Sequence, residues 1–109
     1  MAVYVDNERI EWRGMLWCHL VADSLDELHA FAARIGLRRS WFQDHASFPH
    51  YDVTTDVRER ALRIGAVASR KTQMLAAARK LKAEIGASSS EPSKAEVVLQ
   101  TSGQTLSLF

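Results

Sequence analysis

Two apolar runs near the amino terminus have the composition of β-strands. Residues 3–5 are β-branched and aromatic, which favours a strand. Residues 15–21 are almost wholly apolar, as expected of a buried strand, and Arg13-Gly14 precedes them as a turn. The hydrophobic pattern therefore predicts two strands before residue 22.

The next segment has the sequence of a capped helix. Ser24 and Glu27 form a capping box, which satisfies backbone donors that the first helical turn leaves unbonded. Gly36 is placed to end the helix, because glycine readily adopts the left-handed conformation that follows many helices. The apolar residues that repeat at helical spacing between these signals are Leu25, Leu28, Ala32 and Ile35.

Weaker strand signals follow this helix. Residues 37–42 are predicted to form a strand, and residues 43–49 a loop, because polar residues and a proline interrupt any periodicity. Residues 51–53 are predicted to pair only briefly, and residues 66–68 to form a fourth short strand. We therefore expect a small sheet of about three to four short strands.

Two further helices are predicted in the second half of the chain. Thr54 or Thr55 caps a helix that ends at Gly65, and Ser69 caps another that ends at Gly86. Together with the strands, these helices predict an α+β domain over residues 1–86, with three helices packed on the sheet.

Composition narrows the class of protein. A length of 109 residues fits one small domain with an appendage, and 47% hydrophobic residues exclude a wholly disordered chain. No apolar run approaches the roughly 18 residues that span a bilayer, and the amino terminus lacks a signal-peptide pattern, so no membrane partner is expected. The single cysteine, Cys18, excludes an intrachain disulfide and favours a reducing, cytoplasmic location.

Basic residues are concentrated in the second half of the chain. Between Val57 and Lys82 there are eight basic residues and one acid, Glu59. This asymmetry is typical of a surface that binds polyanions, although arginine and lysine also simply solvate helices. The candidates for contact with nucleic acid are Arg38, Arg39, Arg70, Lys71, Arg79 and Lys82.

Histidines and carboxylates supply the candidate chemistry. His50, Tyr51 and Asp52 follow the predicted loop, and Asp6 ends the first predicted strand, where many α/β sites place a carboxylate. An imidazole oriented by a carboxylate can act as a general acid–base pair near neutral pH. The same groups bind zinc or manganese, but their spacing matches no established metal signature, so no metal is assigned and the cofactor stays open. The alternative is a structural role, in which these side chains hydrogen-bond the loop.

An aromatic pair has both a functional and a structural interpretation, and two further histidines have a structural one. The aromatic pair at residues 41–42, beside Arg38 and Arg39, combines stacking and charge as single-stranded nucleic-acid sites do. The alternative is an aromatic pair that enters the core. His19 in its apolar run and His29 on the flank of the first helix are interpreted as packing groups.

Five short runs resemble a family of small bacterial and phage proteins that is known only as a domain of unknown function. The resemblance covers about residues 1 to 68 and implies a compact bacterial or phage domain, without implying an activity. The runs that carry it are residues 3–6 (VYVD), 18–23 (CHLVAD), 27–29 (ELH), 41–43 (WFQ) and 49–53 (PHYDV).

The carboxy-terminal end differs from the domain. Residues 87–103 begin with a run of serines, proline and charged residues, which predicts a flexible linker. The last six residues, QTLSLF, then place three large apolar side chains where water would surround them, and such exposed clusters usually mark a partner site.

These six residues resemble the short motif with which bacterial polymerases, clamp-loader subunits and repair proteins bind the DNA sliding clamp. Thr105 makes this the six-residue variant of a motif that is more often five residues long. Burial of the terminal leucine and phenylalanine contributes about 3–6 kcal/mol before ordering costs, which suits a weak tether. The alternative is that the peptide docks on its own domain or on another copy. The clamp-binding residues implied by the resemblance are Gln104, Leu106, Ser107, Leu108 and Phe109.

The sequence thus supports two functions from different classes. In the first, the protein is an accessory of DNA replication or repair that the clamp recruits and whose domain binds or processes DNA. In the second, the domain is a small hydrolase-like enzyme or ligand-binding module built on His50, Tyr51 and Asp52. The terminal peptide then serves contacts between copies.

Overall fold

The computed structural model describes residues 2–44 and 48–88. Within these ranges the chain forms a mixed sheet and three α-helices, which confirms the predicted α+β class. In the same ranges, no helix has the length and apolar character of a membrane span. The strands are β1 (Val3–Val5), β2 (Ile10–Trp12), β3 (Met15–Ala22), β4 (Tyr51–Thr54) and β5 (Val67–Ala68). The helices are α1 (Leu25–Arg34), α2 (Thr55–Arg63) and α3 (Lys71–Ser88).

The strand β3 is the centre of the sheet. It pairs antiparallel with β1 and β2 along one edge and with β4 along the other. The two edges separate clearly at Leu20, which pairs with Val5 of β1 on one side and Tyr51 of β4 on the other. The strand β5 then pairs parallel with β1 and extends the sheet.

The register divides the strand residues between two faces. Val5, Leu20 and Tyr51 stand side by side across β1, β3 and β4 and share what we call the first face. All three are buried. The hydroxyl of Tyr51 lies 2.9 Å from Nδ1 of His29 on α1, so α1 covers this face.

The second face carries the alternate residues of the same strands. Tyr4, His19 and Asp52 lie there, because successive side chains of a strand point to opposite faces. Lys80 of α3 lies 3.1 Å from Oδ1 of Asp23, and the Tyr4 hydroxyl donates to the other oxygen of this carboxylate. The helix α3 therefore lies over the second face. Burial on both faces explains why β3 is mainly apolar from Cys18 to Ala22, whereas Met15 and Leu16 at its start are exposed.

The predicted N-caps of α1 and α2 are confirmed, although the Glu27 carboxylate accepts the Ser24 hydroxyl rather than a backbone N–H. The backbone N–H of Glu27 donates to the Ser24 hydroxyl oxygen at 3.2 Å, and the Ser24 hydroxyl donates to the Glu27 carboxylate at 3.1 Å. After α1, Gly36 has a left-handed φ of +87°. Thr54 caps α2 by accepting the backbone N–H of Val57 at 3.4 Å.

Two strand assignments need correction. Residues 37–42 contain a single turn of 3-10 helix, Arg39–Trp41, in place of the predicted strand. Residues 38–41 are all exposed, so no alternating buried face holds this segment in a sheet. Conversely, the apolar pattern does not predict β2, because two of its three residues are exposed and polar residues precede it. The sheet therefore has five strands.

The helix α3 differs from its prediction at both ends. It begins at Lys71, and the Ser69 hydroxyl donates to the Val67 carbonyl at 3.1 Å. It also continues through Gly86, whose φ is not left-handed, to Ser88. Helix α3 therefore includes the first two residues of the predicted linker, 87 and 88. The rest of the predicted linker, from residue 89, lies outside the described residues.

Candidate functional site

A buried aspartate–histidine pair lies on the second face, where the chain leaves β1. Asp6 follows β1 directly, and His19 lies within β3. Oδ2 of Asp6 is 2.6 Å from Nδ1 of His19, and Oδ1 accepts the backbone N–H of His19 at 2.9 Å. Because one carboxylate binds both the ring and the main chain of the same residue, it fixes the orientation of the imidazole.

Hydrogen bonding keeps the Asp6 carboxyl ionised in spite of its burial. Burial alone raises its pKa, but the bonds from the ring and backbone of His19 outweigh burial, and the pKa of Asp6 is lowered from its ordinary value. An ionised carboxylate can only accept hydrogen bonds, so Nδ1 of His19 carries a proton. In the neutral ring, Nε2 of His19 therefore carries the lone pair.

The second histidine, His50, is held in a similar way. Its Nδ1 lies 2.8 Å from the backbone carbonyl oxygen of Phe48, which can only accept, so this nitrogen also carries a proton. Its Nε2 lies 3.1 Å from Oδ1 of Asp52 on β4. The other oxygen of Asp52 accepts from the side-chain amide of Gln43 at 3.3 Å.

These residues form one group, which we call the His–Asp cluster: Asp6, His19, His50 and Asp52. The two imidazole rings are 5.0 Å apart between centroids, with an angle of 78° between their planes. One potential ligand atom from each of His19, His50 and Asp52 lies within 4.8 Å of the other two. Both histidine side chains are 2% exposed and that of Asp52 is 21% exposed, so solvent reaches the cluster from the side of Asp52.

The cluster has two chemical capacities. An imidazole whose Nδ1–H is held by an ionised carboxylate presents Nε2 as a proton acceptor, which is the arrangement of a general base. Two imidazole nitrogens beside a carboxylate also form a ligand set for a divalent transition metal.

An aromatic groove lies beside the cluster and includes Asp52. Its volume is about 720 Å³. Trp12 and Trp41, on its walls, are 55% and 51% exposed. The guanidinium of Arg13 lies 4.7 Å from the centre of the Trp12 ring, and that of Arg38 lies 5.8 Å from the Trp41 ring. The side chains that define this aromatic groove are Trp12, Trp17, Trp41, Phe42, Gln43 and Asp52.

The His–Asp cluster and the aromatic groove both lie within the range of one known protein family. A family model with the description "Protein of unknown function (DUF4031)" matches residues 3–81. The chain belongs to this family. The resemblance to a domain of unknown function is thereby confirmed, and the match extends beyond residue 68 into α3. No curated protein and no solved structure matches the chain.

In the DUF4031 domain, Tyr51 lies apart from the residues with which it was predicted to form a site. Asp6, His50 and Asp52 come together on the second face, whereas Tyr51 points to the first face because side chains alternate along β4. Its hydroxyl is bonded to His29 there. Burial raises the pKa of Tyr51, and burial together with the charge of Arg39 lowers the pKa of His29. Tyr51 is therefore not available to the cluster.

Sequence reasoning missed the role of His19. Its apolar neighbours suggested a packing residue, and His19 is indeed buried, but its ring is bonded to Asp6 across the sheet. The apolar neighbours Cys18 and Leu20 face the opposite side. One signal was present in the sequence: a polar ring inside an apolar strand needs a buried partner, and Asp6 at a strand end supplies one.

The residues predicted to contact nucleic acid are all exposed: Arg38, Arg39, Arg70, Lys71, Arg79 and Lys82. Arg38 and Arg39 border the aromatic groove, where the Arg39 guanidinium lies 5.6 Å from the Phe42 ring. Arg79 and Lys82 instead place their charges 5.9 and 5.8 Å from the ring of Phe48. The structure therefore places Arg38 and Arg39 beside the aromatic groove.

Some predicted functional residues lie outside the described part of the chain. These are the residues predicted to bind the clamp: Gln104, Leu106, Ser107, Leu108 and Phe109. The clamp-binding role of the terminal peptide stays a prediction from the sequence.

Proposed function

We propose that the protein is an accessory of DNA replication or repair. Its domain binds single-stranded nucleic acid in the aromatic groove, and its carboxy-terminal peptide binds the DNA sliding clamp. The observation that carries the proposal is the groove itself, in which two half-exposed indoles each lie against an arginine.

The groove has the physical properties that single-stranded nucleic acid requires. Bases stack on exposed aromatic rings with a contribution of about 1–3 kcal/mol per base, and every base offers a flat face to stack. Trp12 and Trp41 supply two such rings. Arg13, Arg38 and Arg39 supply positive charge beside the rings, where the phosphates of a stacked strand pass. Affinity should therefore fall as the salt concentration rises.

Fluorescence polarisation with a labelled single-stranded oligonucleotide tests this part of the proposal. Trp12→Ala and Trp41→Ala should each weaken binding by about 1–3 kcal/mol, because each removes one stacking surface. Val67→Ala is the matched control, since Val67 is exposed but lies on β5, away from the groove. Equal affinities of Trp41→Ala and Val67→Ala would show that the groove does not bind the strand.

The sequence of the terminal peptide supports recruitment by the clamp. Leu108 and Phe109 are suited to an apolar pocket, and the amide of Gln104 can fix the register by hydrogen bonds. In a binding titration with a bacterial sliding clamp, Gln104→Ala and deletion of the last two residues should abolish a weak interaction. Gln100→Ala, outside the motif, serves as the control. Indistinguishable binding by all four proteins, or no binding by any, would overturn this part of the proposal.

A second candidate function is favoured by the geometry of Asp6 and His19. The 2.6 Å contact to an ionised carboxylate orients the imidazole as a general base, which supports a small hydrolase-like enzyme. Chromogenic esters and phosphodiesters test for such activity. Asp6→Asn and His19→Gln should each lower kcat strongly, and His29→Gln, on the first face, should not. Activity that survives His19→Gln would exclude this role.

A further inference from the structure

We infer that His19, His50 and Asp52 bind one divalent transition-metal ion, and that Asp6 is a positioning residue that orients His19. This inference does not depend on the binding of nucleic acid or on the sliding clamp. It concerns the His–Asp cluster, to which the sequence assigned no metal.

Both imidazoles are oriented as metal ligands usually are. A histidine that binds a metal through one ring nitrogen commonly donates the other ring N–H to a carboxylate or a backbone carbonyl. Both kinds of partner are present here. Nδ1 of His19 is bonded to the Asp6 carboxylate, and Nδ1 of His50 is bonded to the Phe48 carbonyl oxygen. The nitrogen that each ring can offer to a metal is therefore Nε2.

The contact between His50 and Asp52 favours a cation. Nε2 of His50 and Oδ1 of Asp52 lie 3.1 Å apart. In a neutral ring with its proton on Nδ1, both atoms are acceptors, and two acceptors at this distance repel each other. A metal ion between them removes the repulsion. Two ligands bound to zinc at about 2.0–2.2 Å lie roughly 3.3 Å from each other, which is close to the observed separation. A proton on Nε2 is the competing explanation, and the titrations described below distinguish the two.

The donor set selects the class of metal. Two imidazole nitrogens and one carboxylate suit zinc, iron(II), manganese or cobalt, whereas magnesium and calcium prefer oxygen ligands alone. Three protein ligands are also the number found in catalytic zinc sites and in non-haem iron sites, which leave a coordination position for water or substrate. Asp52 is the most exposed of the three ligands and lines the aromatic groove, so a ligand in the groove approaches the cluster from its side.

Calorimetric titration of Zn²⁺ into the full-length, tag-free, chelator-treated protein tests the inference. We expect one ion per chain. Asp52→Asn and His50→Gln should weaken binding by at least about 100-fold, because each removes a ligand. Asp6→Asn should weaken it by about 10–100-fold, as expected when the partner that orients a histidine ligand is lost. Mg²⁺ titrated in the same way should bind far more weakly than Zn²⁺.

The matched control is His29→Gln. His29 is another partly buried histidine, but it is bonded to Tyr51 on the first face, so its replacement should leave the Zn²⁺ affinity unchanged. Circular dichroism of the chelator-treated variants shows whether each is folded, and Asp52→Asn, at the exposed edge of the cluster, is the variant least prone to unfold. Co²⁺ should give visible absorption bands that the folded Asp52→Asn variant lacks.

Two results would overturn the inference. One is the absence of Zn²⁺ binding by the folded wild-type protein, which would leave a proton as the cation between His50 and Asp52. The other is Zn²⁺ binding that the folded Asp52→Asn and His50→Gln variants retain, which would place the ion elsewhere. Neither result bears on nucleic-acid binding, which is measured separately with the Trp41→Ala variant.

Discussion

Asp23, directly after β3, joins three parts of the chain through one carboxylate. Oδ2 accepts from the backbone N–H of Ala2 and from the Tyr4 hydroxyl, both at 3.0 Å, and Oδ1 is paired with Lys80 at 3.1 Å. Burial raises the pKa of Asp23, but these three donors outweigh burial and lower it from 3.8. The ionised carboxylate therefore holds the amino terminus and α3 to the sheet.

Replacement of Asp23 by asparagine should make the domain less stable in a pH-dependent way. We expect a loss of about 1–2 kcal/mol at neutral pH, because the charge-assisted bonds weaken. Since the folded-state pKa is depressed, the stabilisation is complete above the unfolded value of 3.8 and is lost as the pH falls through the lower folded value. Urea unfolding at several pH values measures it. The stabilities of the wild type and Asp23→Asn should converge at the acidic end of the series.

The control for this series is Glu11→Gln, which neutralises an exposed carboxylate on β2. It should change stability by less than about 0.5 kcal/mol at every pH. A difference between the wild type and Asp23→Asn that is constant over the whole pH range would contradict the assignment. It would mean that the charge of Asp23 contributes nothing to stability.

The candidate site could be predicted only in part from single residues. The sequence predicts Asp6, His50 and Asp52 as site residues from their types and their positions near strand ends. The strand register decides the rest: it pairs His19 with Asp52 and turns Tyr51 to the opposite face. Residue types do not specify register, because it depends on which strands pair, and a shift of one residue exchanges the two faces.

At the scale of the secondary-structure elements, two glycines in different helical positions should respond in opposite ways to replacement by alanine. Gly36 follows α1 with a φ of +87°, a conformation that side chains other than glycine adopt at a cost. Gly36→Ala should therefore destabilise the domain by about 1 kcal/mol. Gly86 lies inside α3 with open space around its Cα, so Gly86→Ala should stabilise it by about 0.5–1 kcal/mol. Thermal unfolding of both variants provides the comparison.

The two glycines control for each other, because the same methyl group is added to both. Opposite shifts in Tm are the expected result. If Gly86→Ala lowered Tm as much as Gly36→Ala, the helix α3 would end at Gly86 after all. In that case the helix end predicted from the sequence, Gly86, would be correct.

The elements that the sequence predicts well are those with local signals. The caps at Ser24 and Thr54 act within three residues along the chain, so the sequence alone indicates them. The strand β2 depends on a distant partner instead, because it is held by pairing with β3. Ile10 and Trp12 favour a strand, but three residues are too few to show an alternating pattern.

At the scale of the whole molecule, the sheet has one mainly apolar face and one face with a buried polar cluster. The first face carries Val5, Leu20 and Val53, all fully buried. The second face buries the imidazoles of His19 and His50, and buried polar groups are costly unless they are bonded. A domain that needed only stability would be served better by apolar residues there. The two imidazoles therefore depend on their bonds to Asp6 and to the Phe48 carbonyl oxygen.

Binding of the aromatic groove to a single strand and of the terminal peptide to the sliding clamp should strengthen each other when the strand and the clamp belong to one complex. The predicted linker between α3 and the terminal peptide, residues 89–103, has an expected end-to-end distance of about 20 Å if it behaves as a flexible coil. A tether of this length converts the second contact into an intramolecular one at roughly millimolar effective concentration. Binding to a clamp loaded on a primed single strand should then be about 10²–10⁴ times tighter than binding to the clamp alone.

A cycle of variants separates this effect from a simple sum of two contacts. Trp41→Ala should remove the gain on loaded DNA and leave binding to the free clamp unchanged. Deletion of Leu108 and Phe109 should abolish binding to the free clamp and leave binding to the free strand unchanged. A mixture of the deletion variant and a separate peptide of residues 104–109 should show no gain, because the linker no longer joins the contacts. A mixture that bound as tightly as the intact chain would show that the two contacts are coupled through something other than the tether.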